Sequence, residues 1–152
     1  MKPYLHEFVK FANSLADTAS ETSMYYFRKK INIENKGDES PVTIADKKTE
    51  EIIRDQIRKT YPNHGILGEE YENENLDSEF IWVIDPIDGT RSYIAGHKDF
   101  GNLISLLHNN KPVIGIINCP AHDERWVGIE NTKTTCNGKK VITSGIKKIE
   151  NA

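Results

Sequence analysis

The sequence predicts an α+β fold, with two helices packed on one side of a large antiparallel sheet. Two observations predict it. Up to Tyr61, apolar residues recur at helical spacing in two long segments. From Phe80 onward the chain breaks into short β-branched and aromatic runs, separated by turns containing Asn, Gly and Pro. Helices that come first and strands that follow through hairpins segregate into two layers. The 152 residues are enough for one domain with a real core.

Pro3 to about Lys30 reads as a long helix. Leu5, Phe8, Ala12, Leu15 and Ala19 form its stripe, widened by Val9 and Ala16, and Pro3 suits the first turn. His6 reads as surface. Met24-Tyr25-Tyr26-Phe27 reads as packing surface, with a cofactor shelf as the alternative. Asn32 to Ser40, with Gly37 and a run of charges, reads as a mobile loop. Thr43 opens the second helix, and Asp46 three residues later makes a capping box with Asp in place of Glu. Ile53 and Ile57 follow at helical spacing, which puts Asp46 on the apolar face and Lys47, Lys48 and Arg54 on the solvent face. Tyr61-Pro62-Asn63-His64-Gly65 ends that helix and leaves His64 in a loop. Glu70 to Glu79 reads as an acidic, solvated loop. Phe80 to Ile84 is apolar without a break, as in a strand covered on both faces. Phe100 to Leu107, Pro112 to Asn118, Glu124 to Glu130 and a stretch near Val141 read as further strands, with a hairpin turn at Asn109-Asn110-Lys111.

Composition excludes several classes. A net charge of −3 offers no broad basic face to nucleic acid. No apolar run approaches membrane-spanning length, and the charged N-terminus lacks a signal-peptide core. The cysteines, Cys119 and Cys136, make neither a disulfide framework nor a zinc spacing, which predicts a reducing, cytoplasmic setting.

The chemistry is concentrated in Phe80 to Gly96, FIWVIDPIDGTRSYIAG. Asp85 and Asp88 stand three positions apart on a segment stiffened by Pro86, which fixes its own φ and restricts Asp85. Gly89 permits a backbone conformation or a close ligand approach that a side chain would block. The residues after it can start a short helix, with Thr90 in its first turn, where unpaired N–H groups suit a phosphate. Asp, Pro and Gly are also ordinary turn formers, so a simple tight turn accounts for these residues too. Gly68-Glu69-Glu70, after the apolar Ile66-Leu67, adds a third carboxylate at another strand end. Three hard oxygen ligands with no Cys or His among them suit Mg²⁺ rather than zinc. On local grounds Asp46 is equally a cap and a site residue.

GEE followed by WVIDPIDGTRSYI resembles the inositol-monophosphatase family of Mg²⁺-dependent phosphatases, and Ser40 to Asp46, SPVTIAD, matches another family segment. Within it, GTRSYIAGHKDFGNLISLL and GIINCPAHDERWVG are most similar to the histidinol-phosphate phosphatase branch. The similarity runs from the first helix to about Lys140. It implies that residues 1–152 are the N-terminal metal-binding domain of a layered α/β sandwich, with a C-terminal domain outside this chain. It implies that Asp85 bridges two cations, that Glu69 and the Ile87 carbonyl join it on the first, and that Asp88 binds the second. Asp46, Glu69 and Thr90 are then catalytic, with Thr90 backed by Asp46 to position the attacking water. Asp85, Gly89 and Thr90 meet the substrate, whose phosphate the Gly89 and Thr90 amides hold. Lys36-Gly37-Asp38 resembles a family loop that folds over the metals. The family's second domain supplies one more aspartate to the second cation, and nothing between Lys140 and Ala152 matches its motif.

The expected activity is therefore Mg²⁺-dependent hydrolysis of a small phosphorylated metabolite, by a homodimer acting on neither nucleic acid nor membrane. Histidinol phosphate is the favoured substrate and inositol monophosphate the alternative. A reading of another class is a non-catalytic domain: a truncated product, a dimerisation module or half of a split enzyme.

Overall fold

The computed structural model describes residues 3–30, 33–35 and 41–151. Helix α1 spans Pro3–Tyr26 and buries Leu5, Phe8, Ala12, Leu15, Ala16 and Ala19, the predicted stripe. It stops short of Lys30 because Arg28 turns left-handed at φ 59° and the Lys29 amide bonds back to the Tyr26 carbonyl. His6 is exposed as expected. Phe27 packs on Tyr93 and Phe100, whereas Met24 and Tyr25 of the same segment are exposed.

The segment read as a loop from Asn32 to Ser40 holds a short strand. Residues Ile33–Asn35 (β1) pair antiparallel with Pro41–Thr43 (β2). Lys36, Gly37 and Asp38 lie outside the described residues.

Helix α2 covers Ile44–Thr60. Thr43 caps it in the expected capping box, with Asp46 returning a bond to the Thr43 amide. Asp46, Ile53 and Ile57 are buried together as predicted. Arg54 is not on the solvent face: it is 1% exposed and paired with Glu50 and Glu74. The helical wheel places Arg54 eight residues after Asp46, on the buried stripe, and two carboxylates make that burial tolerable.

Seven strands form one sheet in the order of the chain: β3 Gly65–Leu67, β4 Phe80–Asp88, β5 Gly101–His108, β6 Lys111–Cys119, β7 Glu124–Ile129, β8 Thr135–Cys136 and β9 Lys139–Lys140. Between β4 and β5 runs the short helix α3, Thr90–Ile94. The sheet is mixed rather than wholly antiparallel, because β3 pairs parallel with β4 and the other neighbours pair antiparallel. The chain leaves β3 and returns through residues 68–79 to start β4 at the same end, a connection long enough for a parallel step. Asn109 and Asn110 take φ of 50° and 61°, the geometry of a tight two-residue hairpin turn between β5 and β6.

The core lies between the helices and one sheet face. Trp82, Ile84, Ile104, Leu106, Ile114 and Ile116 meet Leu5, Leu15, Ile53 and Ile57 there. Each such fully buried side chain contributes roughly 1.5–3 kcal/mol. Alternate residues Val83, Leu103, Ser105, Gly115 and Ile117 point the other way and line an apolar groove with Trp126. Only the helix face of β4 is fully covered by the described residues, against the prediction of cover on both: Val83 is half-buried and Ile117 is 53% exposed.

Candidate active site

Strand β4 does not end at Ile84; it runs through the acidic motif. Asp85 pairs with Leu103 and Asp88 with Gly101, so three steps on β4 oppose two on β5, a β-bulge. The bulge contains Pro86, which donates no hydrogen bond. The buried Pro86 carbonyl instead accepts from Asn102 Nδ2 at 2.7 Å, Asn102 Oδ1 accepts from Asn118 Nδ2 at 2.9 Å, and Asn118 Oδ1 accepts from Arg125 Nε at 2.9 Å. This chain of side chains holds the bulge from beneath, and sequence reasoning did not single it out.

After Asp88 the chain turns at Gly89, φ 82°, and enters α3. A Cβ at Gly89 would lie 2.9 Å from the Asp99 carbonyl, so conformation and space both require glycine. A second small core of Ala45, Ile87, Tyr93 and Phe100 packs beneath this turn. The Tyr93 hydroxyl donates to the Ser23 carbonyl at 2.7 Å, and burial pushes its pKa up.

The first turn of α3 meets the start of α2. Thr90 Oγ1 lies 3.2 Å from Asp46 Oδ1 and 3.0 Å from the Ile87 carbonyl, and its single proton goes to one acceptor at a time. Asp46 Oδ2 accepts from the Thr43 amide at 2.8 Å and the Thr43 hydroxyl at 2.6 Å. Asp46 is thus both the cap of α2 and a partner of Thr90. Burial raises its pKa, and the bonds from Thr43 and Thr90 oppose that rise.

Asp85 is the focus of negative charge. Burial, then the charge of Glu69 and a hydrogen bond with its side chain, then the charges of Asp88 and Asp46, push its pKa up to about 7. Asp85 Oδ1 is buried without a hydrogen-bond partner. The fold therefore brings Glu69, Asp85, Asp88, Asp46 and Thr90 to one end of β4. A buried oxygen without a hydrogen-bond partner amid like charges fits a cation, and carboxylates beside a backbone carbonyl suit a hard divalent one. The carboxylates do not yet form a closed cage: among the described residues, no three His, Cys, Asp or Glu side chains stand in coordinating geometry.

Glu69 is held from below. The buried Glu50 of α2 accepts the Glu69 amide at 3.0 Å and the Glu70 amide at 2.8 Å. Sequence reasoning did not name Glu50, although it sits midway between Asp46 and Arg54 on one helical stripe.

Known proteins resemble this chain in sequence and in fold. The chain is 42% identical over 150 residues to the chloroplastic bifunctional phosphatase IMPL2 of Arabidopsis thaliana, covering 97% of this chain and 43% of that protein. It is 36% identical over 139 residues to a histidinol-phosphatase of Chlorobaculum parvum, covering 91% of this chain and 54% of that protein. An inositol monophosphatase from Zymomonas mobilis superposes with a TM-score of 0.80 at 40% identity, over 96% of this chain and 56% of that one. The chain thus spans about half the length of the curated relatives it matches. The sequence model of the inositol monophosphatase family matches residues 4–152, and the chain belongs to that family.

Proposed function

We propose that this chain carries the cation-binding half of a Mg²⁺-dependent phosphomonoesterase that hydrolyses histidinol phosphate. The observation that carries the proposal is the partnerless buried oxygen of Asp85, surrounded by Glu69, Asp88 and Asp46. Glu69, Asp85, the Ile87 carbonyl and Asp88 would hold the cations. When bound, two cations neutralise a dianionic ester, stabilise the leaving oxygen and acidify the attacking water. Without such help phosphate monoesters are among the slowest substrates to hydrolyse.

The chain's own residues do the positioning. When Thr90 gives its proton to Asp46, its oxygen is left as an acceptor and orients a water beside Asp85. Gly89 allows the left-handed turn that presents the Gly89 and Thr90 amides, and these amides bind phosphate oxygens. Histidinol phosphate is preferred because relatives named histidinol-phosphatase match at 34–36% identity, against 31–33% for the plant inositol monophosphatases among the curated relatives. The 40% identity to the Zymomonas mobilis inositol monophosphatase keeps inositol monophosphate as the second reading. We also propose a segment beyond these 152 residues that completes the second cation's ligands, a homodimeric assembly and a cytoplasmic location. The two cysteines are free, and among the described residues no helix is long and apolar enough to cross a membrane.

Phosphate release from histidinol phosphate, inositol monophosphate and fructose bisphosphate tests the reading, with Mg²⁺, Mn²⁺, Ca²⁺ or a chelator. Mg²⁺ and Mn²⁺ activate, and Ca²⁺ inhibits because it prefers longer bonds and more ligands. Release that survives exhaustive chelation refutes the metal mechanism, and a preference for inositol monophosphate transfers the assignment to the second reading.

A further inference from the structure

Glu50 is completely buried, and among the described residues its hydrogen bonds go to groups that shape the Glu69 strand end. Its Oε1 accepts from Arg54 Nε at 2.8 Å. Its Oε2 accepts both successive amides, Glu69 at 3.0 Å and Glu70 at 2.8 Å. Arg54, also buried, continues the clamp: Nη1 reaches Glu74 Oε1 at 2.7 Å and Nη2 the Tyr71 carbonyl at 3.1 Å. Residues 69–74 are thereby pinned at several points to one side of α2. Gly68 shows how tightly the pair fits beneath the backbone: a Cβ there would lie 2.0 Å from Glu50 Oε1 and 2.5 Å from Arg54 Nη2.

The same helix carries Asp46 one turn earlier, where it bonds Thr90. One helix face therefore addresses two different strand ends of the site: Thr90 through Asp46, and Glu69 through Glu50.

We propose that Glu50 is a positioning residue whose carboxylate fixes the Glu69–Glu70 backbone and so sets where the Glu69 side chain meets Asp85. The proposal rests on the reading of Glu69 as a cation ligand. A carboxylate accepting two consecutive amides holds their peptide planes in one orientation, which a neutral side chain does less strongly. Partners that orient ligands from behind typically contribute 10–100-fold to metal affinity, and a ten-fold or larger loss is expected here.

The test measures Mn²⁺ affinity of the 152-residue chain by electron paramagnetic resonance, together with the amide proton shifts of Glu69 and Glu70 by NMR. Glu50→Gln is the first variant. Because it removes one of the two carboxylates paired with the buried Arg54 guanidinium, the double variant Glu50→Leu/Arg54→Met, which removes both charges, serves if the single one does not fold. Ile57→Val, a core change away from the clamp, controls for stability loss alone, and Glu69→Gln reports the ligand itself. The expected result is Mn²⁺ affinity lowered ten-fold or more in the Glu50 and Glu69 variants and unchanged in Ile57→Val. The two amide resonances should also move upfield when the carboxylate is removed. Weakened binding in Glu69→Gln with wild-type binding in the Glu50 variants overturns the positioning role and leaves the ligand reading intact. Unchanged binding in Glu69→Gln overturns both.

Discussion

At the scale of single residues, the site is a compromise between folding and charge. Asp85, Glu69, Asp88 and Asp46 repel one another in the absence of a counter-ion, and burial adds to the cost for Asp85. Asp85→Asn should therefore act in opposite senses on stability and activity. The metal-free chain gains a few degrees in melting temperature, since a partly buried charge is removed from a like-charged cluster. Hydrolysis falls by roughly a thousand-fold or more, as when charge stabilisation at a reacting centre is lost. Thermal unfolding without metal and a phosphate-release assay read the two effects; near wild-type turnover with normal unfolding eliminates the site. Gly89 meets a different constraint. Gly89→Ala forces a side chain into a left-handed conformation and against the Asp99 carbonyl, costing roughly 1–3 kcal/mol. Urea unfolding measures it, and a change below about 0.5 kcal/mol would be that of an ordinary surface substitution.

At the scale of elements, the acidic motif owes its shape to a bulge that its sequence presents as a turn. Pro86 and Gly89 signal a departure from regular strand. The support comes from Asn102 and Asn118, which lie on β5 and β6 and have no local signature. Asn102→Ala leaves the buried Pro86 carbonyl without its side-chain donor and takes one acceptor from Asn118, at about 1–3 kcal/mol in urea unfolding. Unchanged stability would mean that the amide chain is incidental.

What was legible follows the range of the interaction. The stripe of α1, the capping box of α2 and the hairpin at Asn109-Asn110 were readable because each is settled within a few residues. Arg54 was misplaced because its charge suggests solvent, whereas Glu74, twenty residues away, makes burial possible. The direction of β3 was hidden for a related reason, since it depends on the path of residues 68–79. Strand β1 was hidden among polar residues because its pairing partner, not its own pattern, defines it.

The corner after α2 also titrates. His64 Nδ1 accepts from Trp82 Nε1 at 3.1 Å, and the ring stacks on Tyr61 at 4.6 Å and Phe80 at 5.1 Å. Burial lowers its pKa from the ordinary 6.5, against an opposing pull from Glu79. The neutral form is the folded form, because protonation removes the acceptor that Trp82 uses. A folded pKa below the unfolded one gives stability that is present above 6.5 and lost as pH falls through the folded value. Urea unfolding at stepped pH should show that loss, and His64→Phe, which cannot titrate, should flatten it. A slope that persists unchanged in the variant assigns the effect to other groups.

At the scale of the whole molecule, the described residues cover one face of the sheet with helices and leave part of the other open. Val83, Leu103 and Ile117 open onto an apolar groove that ends at Asp85, and Ile117 is half exposed. A groove of that character is poorly suited to water. The uninterrupted apolar run Phe80 to Ile84 is that of a strand meant to be covered twice. Family members matching this chain are about twice its length. We therefore expect the 152-residue chain by itself to bind Mg²⁺ weakly, to turn over histidinol phosphate slowly and to self-associate through this face. Ile117→Lys, which places a charge in the groove, should reduce self-association in sedimentation velocity without altering the helix-side core. Supplying the polypeptide that follows in the longer relatives, separately or by fusion, should cover the groove and add the further ligand proposed for the second cation. Mg²⁺ affinity by isothermal titration and phosphate release should then rise together. Full activity in the isolated, monodisperse chain would contradict this expectation and assign the completing ligand to a group already within these residues.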